Sequence, residues 1–489
     1  MDRFDLLIVG GGINGAAIAR DAAIRGAKVL LVERDDLAAH TSSASSKLIH
    51  GGLRYLEYRE FRLVREALKE RAILLRTAPH VVRPLRFVLP EGAGAIRPRW
   101  MVRAGLLLYD LMALRGGLPR SRGVGRNAAA LRAPLAGRPR LLSYWDAWAD
   151  DSRLVVLNAL DAAEQGAEIA TRTELVRARR QGEVWRADLS DGRVVEASAI
   201  VNAAGPWVGE MLGRLGETSE SRARLVKGSH IAVPRLWDGE HAYILPQPDG
   251  RVVFALPFGE LTLVGTTDVP VEGPADPEPS AEEVRYLCAA ANLYFERETR
   301  PADVAWRYAG VRALHDDGAA DAKAVTRDYQ LEMSPHPGPR LLSVFGGKIT
   351  TARALAETAL DRLGVEGRRS TAWRMLPGGD LYPAFLDWLG ELRAWLPSPL
   401  VDRLAKAYGT RLKDLLGDAS RLADLGRDFG AGLYEREVRW LVEREFAGTA
   451  EDILWRRTKL GLSLAAAEQA ALERYLTSLS RSPRASRSL

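Results

Sequence analysis

At 489 residues the chain is too long for one simple core, and a composition of 47% hydrophobic and 27% charged residues excludes a disordered or collagen-like protein. The net charge of +6 suits a phosphate substrate, nucleic acid or anionic lipid without choosing among them. A single cysteine, Cys288, excludes an internal disulfide and any C-x-x-C site, and without H-E-x-x-H or a cysteine/histidine cluster no protein-ligated metal is expected.

The N-terminus reads β-α-β. Phe4-Asp5-Leu6-Leu7-Ile8-Val9 is a short apolar strand, residues 14–26 a helix and residues 28–33 a second strand. Strands joined this way imply a parallel pair in an α/β core. The apolar run over residues 6–19 imitates a signal peptide, but its glycines mark a nucleotide-binding turn instead. Gly10-Gly11-Gly12-Ile13-Asn14-Gly15 fits G-x-G-x-x-G. Gly10 permits the tight turn, Gly12 lets backbone approach a pyrophosphate, and Gly15 lets helix pack on strand. The helix N-terminus adds partial positive charge for phosphates. Glu33 ends the second strand, where an acid accepts ribose hydroxyls. The glycines alone would be an ordinary turn; with strand, helix and acid they point to a dinucleotide.

Thr41-Ser42-Ser43-Ala44-Ser45-Ser46-Lys47 follows, hydroxyl-rich enough for a flexible loop or for donors to a pyrophosphate. Residues 116–140 are Gly-, Pro- and Arg-rich loop, and a buried strand is expected over 199–202. That strand runs into the small-residue turn Ala203-Ala204-Gly205, by spacing alone a strand end. Alternation between 229 and 268 predicts an antiparallel sheet, the wall of a substrate domain; residues 271–280 read as loop and 341–344 as another buried strand. Pro377-Gly378-Gly379-Asp380 reads as a linker to a helical domain over 385–479, followed by a basic tail over 480–489. The expected class is α/β, a Rossmann-like dinucleotide-binding core with an antiparallel-sheet substrate domain and a C-terminal helical domain. Within 1–384, residues from about 1–70, 150–225 and 310–376 are expected to form the cofactor part, and about 71–149 with 226–309 the substrate part. No run of about 18 apolar residues occurs, so no spanning helix is expected.

The run from Thr41 to Lys47 continues as Leu48-Ile49-His50-Gly51-Gly52-Leu53-Arg54-Tyr55-Leu56, and the whole closely resembles the signature of membrane-associated, FAD-dependent glycerol-3-phosphate dehydrogenases. So do Lys227-Gly228-Ser229-His230, Gly265-Thr266-Thr267-Asp268, Gly310-Val311-Arg312, Thr326-Arg327-Asp328-Tyr329 and Phe345-Gly346-Gly347-Lys348. Asp424-Leu425-Gly426-Arg427-Asp428-Phe429-Gly430 and Leu454-Trp455-Arg456-Arg457-Thr458-Lys459 carry the likeness to the C-terminal part. The likeness covers nearly the whole chain in order. It departs at Ala313, where the family usually has proline, and at Ala352, where it tends to have tyrosine.

The resemblance implies the glycine-oxidase and D-amino-acid-oxidase class of flavoproteins. It places Gly10, Gly12, Ile13, Asn14, Gly15, Glu33, Thr41, Ser42, Ser43, Ser45, Ser46, Lys47 and Leu48 at a non-covalent FAD. It adds Val176, the turn Ala203, Ala204 and Gly205, and the segment Gly347, Lys348, Ile349 and Thr350. It further implies oxidation of sn-glycerol 3-phosphate to dihydroxyacetone phosphate, with electrons passed to a quinone. That reaction removes a hydride from carbon and a proton from the hydroxyl. A phosphate near-dianion calls for guanidinium and ammonium donors, and Arg54, Arg312 and Lys348 are the candidates. His50 is the first choice for the proton acceptor, with His230 competing; the alternative for His50 is a bond to backbone or to the flavin carbonyl. Arg312 would also stabilise a developing alkoxide, and Tyr55 and Thr267 are substrate neighbours.

Arg97-Pro98-Arg99-Trp100-Met101-Val102-Arg103 leads into an apolar helix over residues 104–114, with further arginines at 115, 120, 122 and 126. Basic residues beside a Trp-bearing helix suit peripheral attachment to the cytoplasmic membrane face; an ordinary buried helix is the alternative. A homodimer is left open. Competing readings are a glycerol-3-phosphate oxidase, in which the Lys348 amine would serve oxygen, another flavin oxidase of the fold, and a non-catalytic flavoprotein. No interleaved basic and aromatic motif supports nucleic-acid binding.

Overall fold

In the computed structural model, which describes residues 1–91, 97–113, 116–125, 127–275, 277–316 and 328–481 (480 and 481 as backbone), the N-terminal strand is Asp2–Val9. It pairs in parallel with Val29–Glu33 on one side and Val194–Asn202 on the other. Glu168–Thr171 and Arg340–Phe345 extend the parallel run outward. A hairpin of Leu175–Gln181 and Val184–Leu189 and the strand Gln330–Met333 are antiparallel additions. Leu6 and Ile8 face a layer of three helices, Ile13–Ile24, Asp151–Glu164 and Ala352–Arg362, while Leu7 and Val9 face the hairpin and the helix Val208–Arg214. Burial on both faces is why these strands read as unbroken apolar runs. Ala16, Ala19, Ala22 and Ala23 keep the first helix slim enough to lie close on the sheet.

The second sheet is larger and mostly antiparallel. The expected strands between 229 and 268 are Ala223–Pro234, Ala242–Pro246, Val252–Phe258 and Leu261–Gly265, joined by Val82–Pro90 and Leu141–Ala149 from the first third of the chain. The helix Ala281–Asn292 packs on this sheet and buries Cys288. The sheet divides the chain at other points than composition suggested. Ala223–Pro234 and Trp306–His315 pair along their lengths, so boundaries near 225 and 310 run through paired strands of one sheet. Leu48–Ile49, expected in the cofactor part, pairs with Leu141–Ala149. Strand partners are fixed by register between distant segments, which local composition does not carry.

The C-terminal unit has its own apolar core, built by Pro383–Leu392, Ser398–Tyr408, Glu435–Arg444 and Ala466–Arg481. The expected linker before it is a packed joint. A Cβ at Gly378 would meet the Tyr408 carbonyl oxygen at 2.1 Å, one at Gly379 would meet the Thr77 oxygen at 2.4 Å, and the Leu376 N–H donates to Thr77 O at 2.8 Å. Its glycines serve close approach, not mobility.

The apolar helix is Arg99–Met112. Trp100, Leu107 and Leu111 are 69%, 57% and 54% exposed, whereas Leu106 and Tyr109 point inward. No described helix is long and apolar enough to cross a membrane. Thr326, Arg327, residue 114, the arginines at 115 and 126, and the tail from 482 onward lie outside the described residues.

Candidate active site

A cleft of about 1140 Å³ opens where the two sheets meet, and its floor is the glycine turn. Gly10 has φ +112°, and a Cβ there would lie 2.6 Å from the Ala203 carbonyl oxygen; the turn therefore packs on the second turn, 203–205, through bare backbone. A Cβ at Gly15 would lie 1.9 Å from Gly10 O, which buries Gly15 beneath the cleft. Gly12 starts the helix and faces the cleft, as do Ile13 and Asn14. The Ile13 N–H donates to Ser42 Oγ at 3.0 Å, tying the hydroxyl-rich loop to the helix start.

Glu33 Oε2 accepts from the Gly11 N–H at 2.6 Å and Oε1 from the Asp35 N–H at 2.9 Å. Burial pushes its pKa up, against those two bonds. The Asn14 side chain donates to Gly346 O at 3.1 Å, joining the segment 346–350 to the same wall. Asn14 Oδ1 is buried and has no hydrogen-bond partner among the described residues, an acceptor placed for a hydroxyl or N–H of a bound group. A side-chain-free turn, a ribose acceptor and an open acceptor fit a dinucleotide lying along this wall.

Thr41, Ser42, Ser45, Ser46, Leu48, Ala203, Ala204, Gly205, Gly347, Ile349 and Thr350 also line the cleft. Ser43, Lys47 and Val176 do not. Lys47 Nζ is buried against both oxygens of Asp151 at 2.9 Å, so burial of an ion pair, not a phosphate, accounts for its charge. Val176 is 48% exposed, and its neighbour Leu175 is the residue on the cleft wall.

At the other end His50, Arg54, Tyr55, Arg312 and Lys348 face the same space, drawn from three separated segments. Lys348 Nζ lies 4.0 Å from the centre of the Tyr55 ring. Arg312 donates to Asp268 at 2.5 Å and to Thr266 Oγ1 at 3.0 Å. A Cβ at Gly228 would meet Arg312 Nη2 at 2.5 Å, so this glycine makes room for the guanidinium. Burial, then the cations Lys348, Arg71 and Arg312, push the His50 pKa down to about 4, and the imidazole is neutral at pH 7.

His230 and Thr267 stand behind the wall. His230 Nε2 meets Ser46 Oγ at 2.8 Å, and its ring stacks on Tyr308 at 4.8 Å between centres. Thr267 Oγ1 accepts from the Ser229 N–H at 2.9 Å and donates to Glu283 at 2.8 Å. Ala313 lines the cleft, whereas Ala352 is buried at the start of its helix.

Sequence reasoning missed the layer behind His50. The Gly51 N–H donates to Tyr109 Oη at 2.8 Å, Tyr109 donates to Asp146 at 2.8 Å, and Asp146 is ion-paired with Arg71. One signal was available: Asp146 is a lone acid within the strand Leu141–Ala149, and a charge in an apolar strand requires partners. Met101, Val102 and Leu108 of the exposed helix wall the mouth of the cleft.

Residues 5–362 match the FAD dependent oxidoreductase family, and residues 369–485 match the C-terminal domain of alpha-glycerophosphate oxidase. A glycerol-3-phosphate dehydrogenase of Pseudomonas aeruginosa is 50% identical, with 97% of this chain and 95% of the relative covered. A D-erythritol 1-phosphate dehydrogenase of Brucella abortus is 48% identical, with 96% of each covered. Among solved structures, the glycerol-3-phosphate dehydrogenase of Bacillus halodurans complexed with FAD superposes with a TM-score of 0.73 at 26% identity, over 97% of this chain and 94% of that one.

Proposed function

The chain belongs to the FAD-dependent glycerol-3-phosphate dehydrogenase family, and from that premise we propose that it oxidises sn-glycerol 3-phosphate to dihydroxyacetone phosphate and passes the electrons to a membrane quinone. The observation that carries the reading is the convergence of Arg54, Lys348, Arg312 and a neutral His50 on one cleft with the glycine turn. Bound FAD supplies the hydride acceptor. Arg54 and Lys348 hold the phosphate through charge-assisted bonds. A ring nitrogen of His50 takes the hydroxyl proton as the C–H hydride leaves, so one proton and one hydride are removed and a ketone remains. Arg312, steadied by Asp268, stabilises negative charge growing on the oxygen. The imidazole is a weak base at pKa about 4, and the arriving phosphate charge strengthens it.

Anaerobic mixing with sn-glycerol 3-phosphate should bleach the flavin; an unchanged visible spectrum would remove this substrate. A second reading, oxidation of D-erythritol 1-phosphate, is favoured by the 48% identical relative. It differs by one hydroxymethylene unit and predicts faster bleaching by the four-carbon ester in the same experiment. The exposed Trp100, Leu107 and Leu111, beside cleft-mouth residues Met101 and Leu108, support peripheral seating on lipid and a quinone route. Reoxidation of reduced protein by a soluble quinone should outpace reoxidation by oxygen, and fast peroxide formation would make the protein an oxidase.

A further inference from the structure

The C-terminal motif Leu454-Trp455-Arg456-Arg457-Thr458-Lys459 does not line the cleft, yet it reaches deep into the cofactor half. Arg457 donates to both oxygens of Asp36 at 2.7 and 2.8 Å, and Arg456 Nε to the same carboxylate at 2.7 Å. All three side chains are buried, 1%, 7% and 2% exposed. Lys459 Nζ donates to Ser152 Oγ at 2.6 Å and lies 3.5 Å from Asp151, the carboxylate that holds Lys47 Nζ and accepts from Ser45 Oγ at 2.8 Å. Between the two, Trp455 stacks on Trp306 at 5.1 Å, Trp306 packs on Tyr308, and Tyr308 donates to Ser45 O at 2.7 Å.

Asp36 and Lys47 mark the two ends of one loop, residues 34–47, whose interior residues from Ala38 to Ser46, all but Ser43, wall the cleft beside the glycine turn. The loop has no strand or helix of its own. It also holds two non-glycine residues in the left-handed region, Ala38 at φ +60° and Lys47 at φ +56°, one beside each anchor, and Lys459 itself is at φ +60°. Such conformations persist only where surrounding contacts over-determine them. Buried ion pairs are weak sources of net stability but strong sources of fixed geometry, since a displaced partner leaves a charge in apolar surroundings.

We propose that the 452–459 segment of the C-terminal unit is a positioning element for the cofactor, clamping both ends of the 34–47 loop so that its hydroxyls line the cleft in the binding conformation. Arg456, Arg457 and Lys459 act through Asp36 and Asp151 and touch nothing that reacts. The C-terminal unit is thereby coupled to FAD affinity, a role that goes beyond the catalytic reading and rests on its cofactor.

The test compares deflavinated wild type with Arg457→Met, Lys459→Met, Lys459→Arg and Arg403→Met, titrating FAD by flavin fluorescence and recording the circular dichroism of the bound flavin. Arg403 pairs with Glu437 wholly inside the C-terminal unit and reports its stability alone. Arg457→Met and Lys459→Met should weaken FAD roughly five- to hundredfold, the range of ordinary inter-site coupling, and alter the flavin signal. Lys459→Arg should restore both, and Arg403→Met should lower the melting temperature with FAD affinity unchanged. Lys459→Met is the milder change and carries the test alone should Arg457→Met not fold. Wild-type affinity in Lys459→Met, or equal weakening in Arg403→Met, would overturn the clamp; wild type that takes up no FAD would overturn the cofactor reading with it.

Discussion

At the cofactor end of the cleft, backbone does the holding: Gly10, Gly12 and Gly15 present bare chain, and Glu33 is the one acid the turn requires. At the substrate end, side chains from three separated segments converge: Arg312 is held by Asp268, Lys348 lies over the Tyr55 ring, and the peptide after His50 is held by Tyr109. The first kind of site is local in sequence and intolerant of any added atom. The second is assembled by the fold, and its members differ in how much each carries. Substitutions should therefore act as all-or-none at one end and as a graded series at the other.

The largest effect should come from Gly15→Val. Its Cβ would lie 1.9 Å from the Gly10 carbonyl oxygen, and neither backbone segment has room to yield. The purified variant should be colourless, while Gly209→Ala, where a Cβ meets nothing within 4 Å, should carry a full complement of flavin. Visible absorbance per protein decides it, and a yellow Gly15→Val would show that the turn tolerates side chains.

Next comes His50→Asn, which should keep FAD yet slow flavin reduction by roughly a hundredfold or more, as loss of a general base does. Arg312→Ala removes bonds to a charged group worth about 1.5–3 kcal/mol, hence roughly ten- to hundredfold in rate. His230→Asn should be milder than His50→Asn, because His230 meets the cleft only through Ser46. Stopped-flow reduction of the four proteins orders them, and a slower His230→Asn would move the proton acceptor there.

A smaller step is expected one layer back. Tyr109→Phe leaves the Gly51 N–H buried without an acceptor, a cost of about 1–3 kcal/mol. The thermal midpoint should fall and flavin reduction slow several-fold, because the Gly51 peptide adjoins His50, while FAD affinity stays unchanged. Reduction at the parental rate would detach this layer from the chemistry.

The same contrast explains what the chain reveals when read as letters. The strand–turn–helix with Glu33 is contiguous and its constraints are steric, so the residues that satisfy them are nearly unique. The parallel core follows from unbroken apolar runs, and the C-terminal helices from their periodicity. The substrate-end residues were reachable through the family resemblance, not through spacing, since nothing local links Arg54 to Arg312. The layer behind His50 was hidden, because Tyr109 and Asp146 acquire meaning only through contacts across the sheet. Lys47 shows the reverse failure: a lysine in a loop of phosphate-like donors proves to be the buried partner of Asp151. The glycines of 377–380 read as a linker and prove to be a packed joint for a similar reason, since composition does not separate glycine used for freedom from glycine used for contact.

The finest test of the comparison is its dependence on pH. Burial holds His50 and His241 down to about 4 and His80 to about 3, in each case as the largest cause, with nearby arginines or Lys348 adding to it. Each folded value is below the ordinary 6.5, so each group contributes stability that is complete above about pH 6.5. As pH falls from 6.5 toward 4 the unfolded chain takes up protons the folded protein refuses, and stability is lost at about 1.4 kcal/mol per pH unit for each group. Glu33, with its value raised by burial, has the opposite sign: its contribution is present in acid and is lost as pH rises through the folded value. The cofactor end therefore gains relative stability in acid while the substrate end loses it. His50→Asn removes one of the histidine terms, so its unfolding free energy should fall by about 1.4 kcal/mol less per pH unit than the parent's between pH 6 and 4.5. Denaturant unfolding across that window measures the slope. Parallel slopes for the two proteins would mean that His50 titrates in the folded protein as it does in the unfolded chain, and burial would not be holding its value down.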